Sequence, residues 1–183
     1  MCMTLKYGLT EHDYVQHLLF TATKSDRIKK KRRRNWIKTT AVVFGFGLIF
    51  YLVNDIHMFY YCLVAGFITL IFYPSYERYH YRKHYKKFVA DAYKNRINII
   101  AKVVLTENTI ETSDKTGEAK LNLSELQEII ETNEYFYMNL KVGESLIIPK
   151  LKIESLEELR FELKSLAAKL NINFANDLSW HWK

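Results

Sequence analysis

The chain is poor in the residues that staple, break or catalyse. It holds two cysteines, two prolines and six glycines in 183 residues. Cys62 lies inside an apolar stretch and Cys2 beside the start, so neither a disulfide framework nor a zinc site can be assembled from them. Residues 97–175 contain no His, Cys or Trp. Thiol nucleophiles, the usual general base and the commonest metal ligand are therefore missing from the second half together. Gly117 and Gly143 are lone turn glycines, not a phosphate-cradling loop. The acids there are scattered over strand edges and a helix surface, as on a solvated face. The expectation is no enzyme, no cofactor and no metal.

Positive charge is the next absence. No Lys or Arg occurs between Lys38 and Arg78, although Lys and Arg total 27 in the chain. The interval holds two apolar stretches, residues 36–53 and 58–73, joined by Asn54-Asp55-Ile56-His57. At 1.5 Å per residue, about 18 residues span roughly 27 Å, close to the hydrocarbon thickness of a bilayer. We read residues 36–73 as a transmembrane helical hairpin. The first 25 residues carry Glu11 and Asp13 and no continuous apolar core, so the first stretch is expected to remain attached as a signal-anchor. Nine Lys and Arg in 24–38 and seven in 74–98 flank a turn that has none. The positive-inside rule then places both termini in the cytoplasm in a multi-pass arrangement. Gly45 and Gly47 on one helix, with Ala65 and Gly66 on the other, permit close backbone approach.

The charge is segregated. Residues 1–98 carry +11 and residues 99–183 carry −4, which together make the net +7. The basic excess thus belongs to the hairpin and its flanks. Lys29, Lys30, Lys31, Arg32, Arg33 and Arg34 on one side, with Arg82, Lys83, Lys86 and Lys87 on the other, are candidate contacts to an anionic lipid surface, each worth about 1 kcal/mol. The run Lys29–Arg34 alone would also suit nucleic acid, but beside an apolar stretch it reads as a membrane flank, and nucleic acid is not an expected partner. Glu77, His80 and His84 fall at i, i+3 and i+7, a spacing that can hold a metal, but the neighbouring cations oppose it.

Ahead of the hairpin, residues 1–35 form an N-terminal segment. Residues 4–9 alternate weakly as a short strand would, and Thr10 and Asp13 stand at the spacing of a reciprocal helix cap. Tyr14, Val15, Leu18 and Leu19 share one face of the helix that follows, packed on either the C-terminal domain or the membrane surface. Behind the hairpin, residues 74–96 read as an aromatic-basic stalk helix with Tyr81, Tyr85, Phe88, Val89 and Ala92 in a stripe. From 97 to 175 the period shortens. Strands are expected at 101–106, 109–113, 117–123, 127–132, 135–141 and 145–149, with a turn at 114–117. Phe136, Met138 and Leu140 alternate with Tyr135, Tyr137 and Asn139, predicting one buried face and one exposed. Ser155 and Glu158 have capping-box spacing, and Leu156, Leu159, Leu163, Leu166 and Leu170 form the stripe of a helix ended by Asn171. Residues 176–183 are a Trp-containing tail, expected at the membrane interface or in a groove of the domain.

The layout resembles the YcxB-like bacterial membrane proteins. It is carried by Val104-Leu-Thr-Glu-Asn-Thr-Ile110, by 126–140 with its Tyr-Phe-Tyr, and by Ile147-Ile148-Pro149-Lys150 within the whole-chain order. Leu123 stands before Ser124 where the family pattern has Trp, which would alter one core contact. The resemblance implies an α+β membrane protein of the bacterial inner membrane, whose cytoplasmic domain has a pleckstrin-homology-like (PH-like) fold. It leaves the function open. Our expectation is a membrane-anchored interaction or scaffolding module that presents an acidic domain to a cytoplasmic protein or to a second copy of itself. The alternative is lipid-headgroup binding by the domain. It is disfavoured because the loop between the first two strands, read as Glu107-Asn108, is not basic.

Overall fold

The computed structural model describes residues 3–115 and 117–182. Cys2, Thr116 of the expected 114–117 turn, and Lys183 of the tail lie outside the described residues. The chain is α+β and divides into two compact units. One comprises the residues up to His17 together with Val89–His181; the other comprises Leu18–Phe88 with Trp182.

The first unit is built on two four-stranded sheets. Strands β2 (Ile100–Leu105), β3 (Thr109–Asp114) and β4 (Gly117–Asn122) form an antiparallel meander. A second meander follows in β5 (Leu126–Thr132), β6 (Tyr135–Leu140) and β7 (Ser145–Pro149). These six strands lie within a residue or two of where alternation and turn chemistry put them. At the β3–β4 turn the Asp114 carboxylate accepts from the Gly117 N–H at 3.1 Å.

Each sheet gains one more strand. The edge of the first is β1 (Met3–Gly8), which precedes the hairpin in sequence and pairs antiparallel with β2 from Met3↔Leu105 to Gly8↔Ile100. The sheet domain expected at 97–175 is therefore assembled from two separated stretches. Its first two strands are connected by residues 9–99, not by Glu107-Asn108, which joins the second and third. The headgroup argument made from that loop falls with it. The edge of the second sheet is β8 (Asn173–Asp177), parallel to β5 and reached after helix α4 (Leu156–Leu170). Periodicity gave no sign of β8.

The core lies between both sheets and α4. Leu5, Val103, Leu105, Ile110, Ile129, Phe136, Met138, Ile148, Leu159 and Leu163 are buried in one cluster. Leu123 joins it. Helix α4 ends as expected, with Asn171 left-handed at φ 53° and its N–H returned to the carbonyls of Ala167 and Ala168. The start differs from expectation. Ser155 sits at φ −102°, ψ 64° and makes no side-chain cap bond. Off the extended geometry, its hydroxyl is not aimed at the Glu158 N–H.

The outer face of β6 is buried too, against the expectation of an exposed one: Tyr135 and Tyr137 are 4% and 0% exposed. The cover comes from α1 (Glu11–Lys24), whose Thr10–Asp13 reciprocal cap forms at 2.8 and 3.3 Å. Asp13 accepts from the Tyr135 hydroxyl at 2.8 Å, and His17 lies 5.2 Å from the Tyr137 ring. The N-terminal segment thus belongs to the domain as far as His17, and from Leu18 onward to the second unit.

In the second unit, α2 (Asp26–Leu52) and α3 (Ile56–Ala92) are each long and apolar enough to cross a membrane. Asn54 at φ 64° turns the chain, and the Asp55 carboxylate caps α3 by accepting from the Met58 N–H. The helices close on each other at two glycines. A Cβ on Gly47 would stand 3.1 Å from that of Cys62, and one on Gly66 2.8 Å from the Phe44 ring. Gly45 instead faces open space. Helix α3 runs on through Pro74, so the stalk is its continuation. Proline has no N–H for the carbonyl four residues back. That carbonyl, on Leu70, accepts from the Trp36 indole at 3.2 Å. One side chain of α2 thereby satisfies the group that Pro74 orphans in α3.

Two substitutions test the role of β1. Leu5→Ala should cost roughly 2–4 kcal/mol, as large-to-small core changes do. Tyr7 is 5% exposed with a hydroxyl that finds no partner among the described residues, so Tyr7→Phe should be neutral or stabilising. Chemical denaturation of the full chain in neutral detergent measures both.

Candidate functional site

Three features carry the polar chemistry: the base of the α2–α3 hairpin, and two ionic networks in the sheet domain. Of the ten basic residues singled out at the hairpin flanks, all but Arg32 are exposed. Arg32 is half-buried and turned inward, its Nε donating to the Glu77 carboxylate at 3.1 Å. Its guanidinium also faces the Trp182 ring at 5.0 Å and the Tyr81 ring at 5.8 Å. The Trp182 indole donates to the Arg78 carbonyl at 3.3 Å. The last Trp of the tail is therefore seated on the hairpin base.

Beside this cluster α2 and α3 bound an open groove of about 400 Å³. Lys31 and Asn35 line it from α2. Tyr73, Tyr76, Glu77, His80, Tyr81 and His84 line it from α3, at spacings that share one helix face. The Tyr76 and His80 rings stack at 6.1 Å. Burial and the nearby Glu77 carboxylate push the Tyr81 phenol up, so it stays a donor at neutral pH. Glu77, His80 and His84 share this wall as their spacing implied. Glu77 is held by Arg32, and no group of three metal-ligating side chains occurs among the described residues. Lys31 also closes a second basin whose other walls are Arg27, Lys30 and Arg34.

In the domain, Asp13 anchors the first network. Burial acts to raise its pKa. The backbone N–H of Thr10, the Lys152 ammonium at 3.0 Å and the Tyr135 hydroxyl outweigh burial and hold it low. The second network centres on Glu131, 3% exposed. Burial again opposes, and Lys150 at 2.7 Å with Arg160 at 2.9 Å prevails. Glu157 backs Arg160 as a second carboxylate. Every charge here is compensated within the network, which suits clamps between elements better than reactive groups. Sequence reasoning missed both networks, because their members are up to 139 residues apart.

Residues 105–161 match the model of the YcxB-like protein family. The YcxB-like segment runs from the end of β2 through the rest of both meanders to the first turns of α4. It contains Glu131, Lys150 and Arg160, and it stops short of the hairpin and of Asp13. The expected resemblance thus holds over the domain's centre. No curated protein and no solved structure matches the chain.

Burial pushes His17 down from 6.5 to about 4. A folded-state pKa below the unfolded one means the unfolded chain binds more protons in that window, so stability falls as pH drops from 6.5 toward 4. The loss should be roughly 2–3 kcal/mol, with Asp13 and Glu131 adding their own loss only below about pH 4. Calorimetry of the full chain between pH 7 and 4.5 should show this decline, and His17→Phe should flatten it.

Proposed function

We propose that the protein is a membrane-anchored interaction module of the bacterial inner membrane. The α2–α3 hairpin spans the bilayer with both termini cytoplasmic, and the sheet domain meets a protein partner there. The observation that carries this reading is the apolar surface of the hairpin. Leu48, Tyr61 and Ile71 are 60%, 72% and 62% exposed, with Val42, Phe46, Ile49, Phe67 and Phe72 likewise uncovered. A contiguous surface of that kind is far larger than a soluble monomer tolerates. Its basic residues begin where the apolar stretch ends, and the Asn54 turn has none, as the positive-inside rule requires.

A PH-like fold for the domain is supported by strand order. A four-stranded meander of β1–β4, a three-stranded meander of β5–β7 and a following helix are the parts such a fold contains, with β8 an addition. Two features favour protein binding over catalysis. The ionic side chains at the core are mutually compensated, and α4 shows Phe161 at 71% exposure beside Glu157 and Glu158. An exposed aromatic one turn from two acids suits a basic, partly apolar partner segment. Binding of lipid headgroups by the domain remains the second reading, since the connection between its first two strands carries the basic blocks.

Topology and partner binding are tested together in a cysteine-free background (Cys2→Ser, Cys62→Ser). Asn54→Cys should react with an impermeant maleimide from outside intact cells, and Lys120→Cys only after lysis. The reverse pattern, or release of the chain by alkaline carbonate, would contradict anchoring. Phe161→Ala should reduce cross-linking to the partner several-fold in native membranes, with stability unchanged to within about 0.5 kcal/mol.

A further inference from the structure

The groove at the hairpin base is more specific than a basic surface. Its donors are an ammonium (Lys31), an amide (Asn35), two imidazoles (His80, His84) and three phenols (Tyr73, Tyr76, Tyr81). Its single carboxylate, Glu77, is already satisfied by Arg32 at 3.1 Å and is 8% exposed, so it does not repel an anion entering the groove. The Arg27, Lys30 and Arg34 basin next to Lys31 adds further positive potential on the α2 side. The lining begins at Tyr73, where the apolar stretch of α3 gives way to polar residues.

We propose that this groove binds the phosphate of an anionic phospholipid headgroup, with Lys31, His80 and His84 as the principal donors and Asn35 and the phenols completing the shell. The proposal rests on the membrane-anchored reading, which sets the groove at headgroup depth. A phosphate suits the set because its several acceptor oxygens can take donors arriving from two helices at once. A metal would need ligand lone pairs that a lysine and a paired carboxylate do not offer. The Arg32–Glu77 bridge and the Trp182 ring then act as the brace that fixes the groove's floor.

The test uses the full chain in neutral detergent with three probes: dioctanoyl phosphatidylglycerol, dioctanoyl phosphatidylcholine and inorganic phosphate. Binding is read by native mass spectrometry and calorimetry. The phosphatidylglycerol should bind tightest, and Lys31→Gln with His80→Gln should weaken it at least tenfold. Lys86→Gln with Lys87→Gln removes exposed charge outside the groove and should weaken it less than twofold. Equal weakening by both pairs, or equal binding of phosphatidylcholine, would overturn the site. Inorganic phosphate that displaces the lipid at matching affinity would overturn the lipid source while leaving a phosphate groove. All four residues substituted are exposed, and circular dichroism confirms that the variants fold. Carbonate extraction of the wild type from membranes reports separately on anchoring. A chain that stays in the membrane but binds no probe refutes the groove alone.

Discussion

Pairing of β1 with β2 ties the two ends of the hairpin segment into one sheet. Six residue pairs, from Met3↔Leu105 to Gly8↔Ile100, close a connection that spans residues 9–99. Leu5 and Tyr7 put side chains from ahead of the hairpin into the core that Val103, Leu105 and Phe136 build from behind it. Because β1 has no second neighbour, its place depends on that ladder and on those buried side chains. The connection also delivers α1, whose Asp13 and His17 cover Tyr135 and Tyr137. The chain thus leaves the domain into α2 and returns to it from α3.

The hairpin has its own internal logic. Two glycines allow α2 and α3 to touch, Trp36 satisfies the carbonyl orphaned by Pro74, and Arg32 bridges to Glu77. All three are contacts between the helices, and they run in order from the turn to the base. Trp182 adds a fourth at the base, bringing the end of the chain onto the same two helices. Removing Arg32 would take the bridging cation from the buried Glu77 carboxylate, a larger loss than the bridge itself supplies. The brace and the groove beside it therefore belong to one structure.

What could be read from sequence was what depends on neighbours in sequence. Alternation placed six strands, the missing cations between Lys38 and Arg78 marked the hairpin, and Thr10 with Asp13 announced a cap that forms. What failed depends on distant contacts. Alternation along β6 separates two faces but cannot say that α1 covers the second. Strand β8, Asn-Phe-Ala-Asn-Asp, has no β-branched residue and is extended because β5 pairs with it. Arg32 sits in a run of six cations, and nothing local distinguishes it from its neighbours. The groove was half visible. The spacing of Glu77, His80 and His84 put them on one face, but Lys31 and Asn35 reach that face only through helix packing.

The insertion of the hairpin between two paired strands is the claim on which the rest stands. Disulfide trapping across that pair tests it most directly. Lys6 and Lys102 are register partners and both exposed. In the full chain without native cysteines, Lys6→Cys with Lys102→Cys should oxidise rapidly to an intramolecular disulfide, since facing strand positions bring Cβ atoms to about 5 Å. The same chain with Lys6→Cys and Lys120→Cys should not, because β4 lies two strands from β1. Failure of the first pair to close, or equal closure of both, would contradict the fold as described.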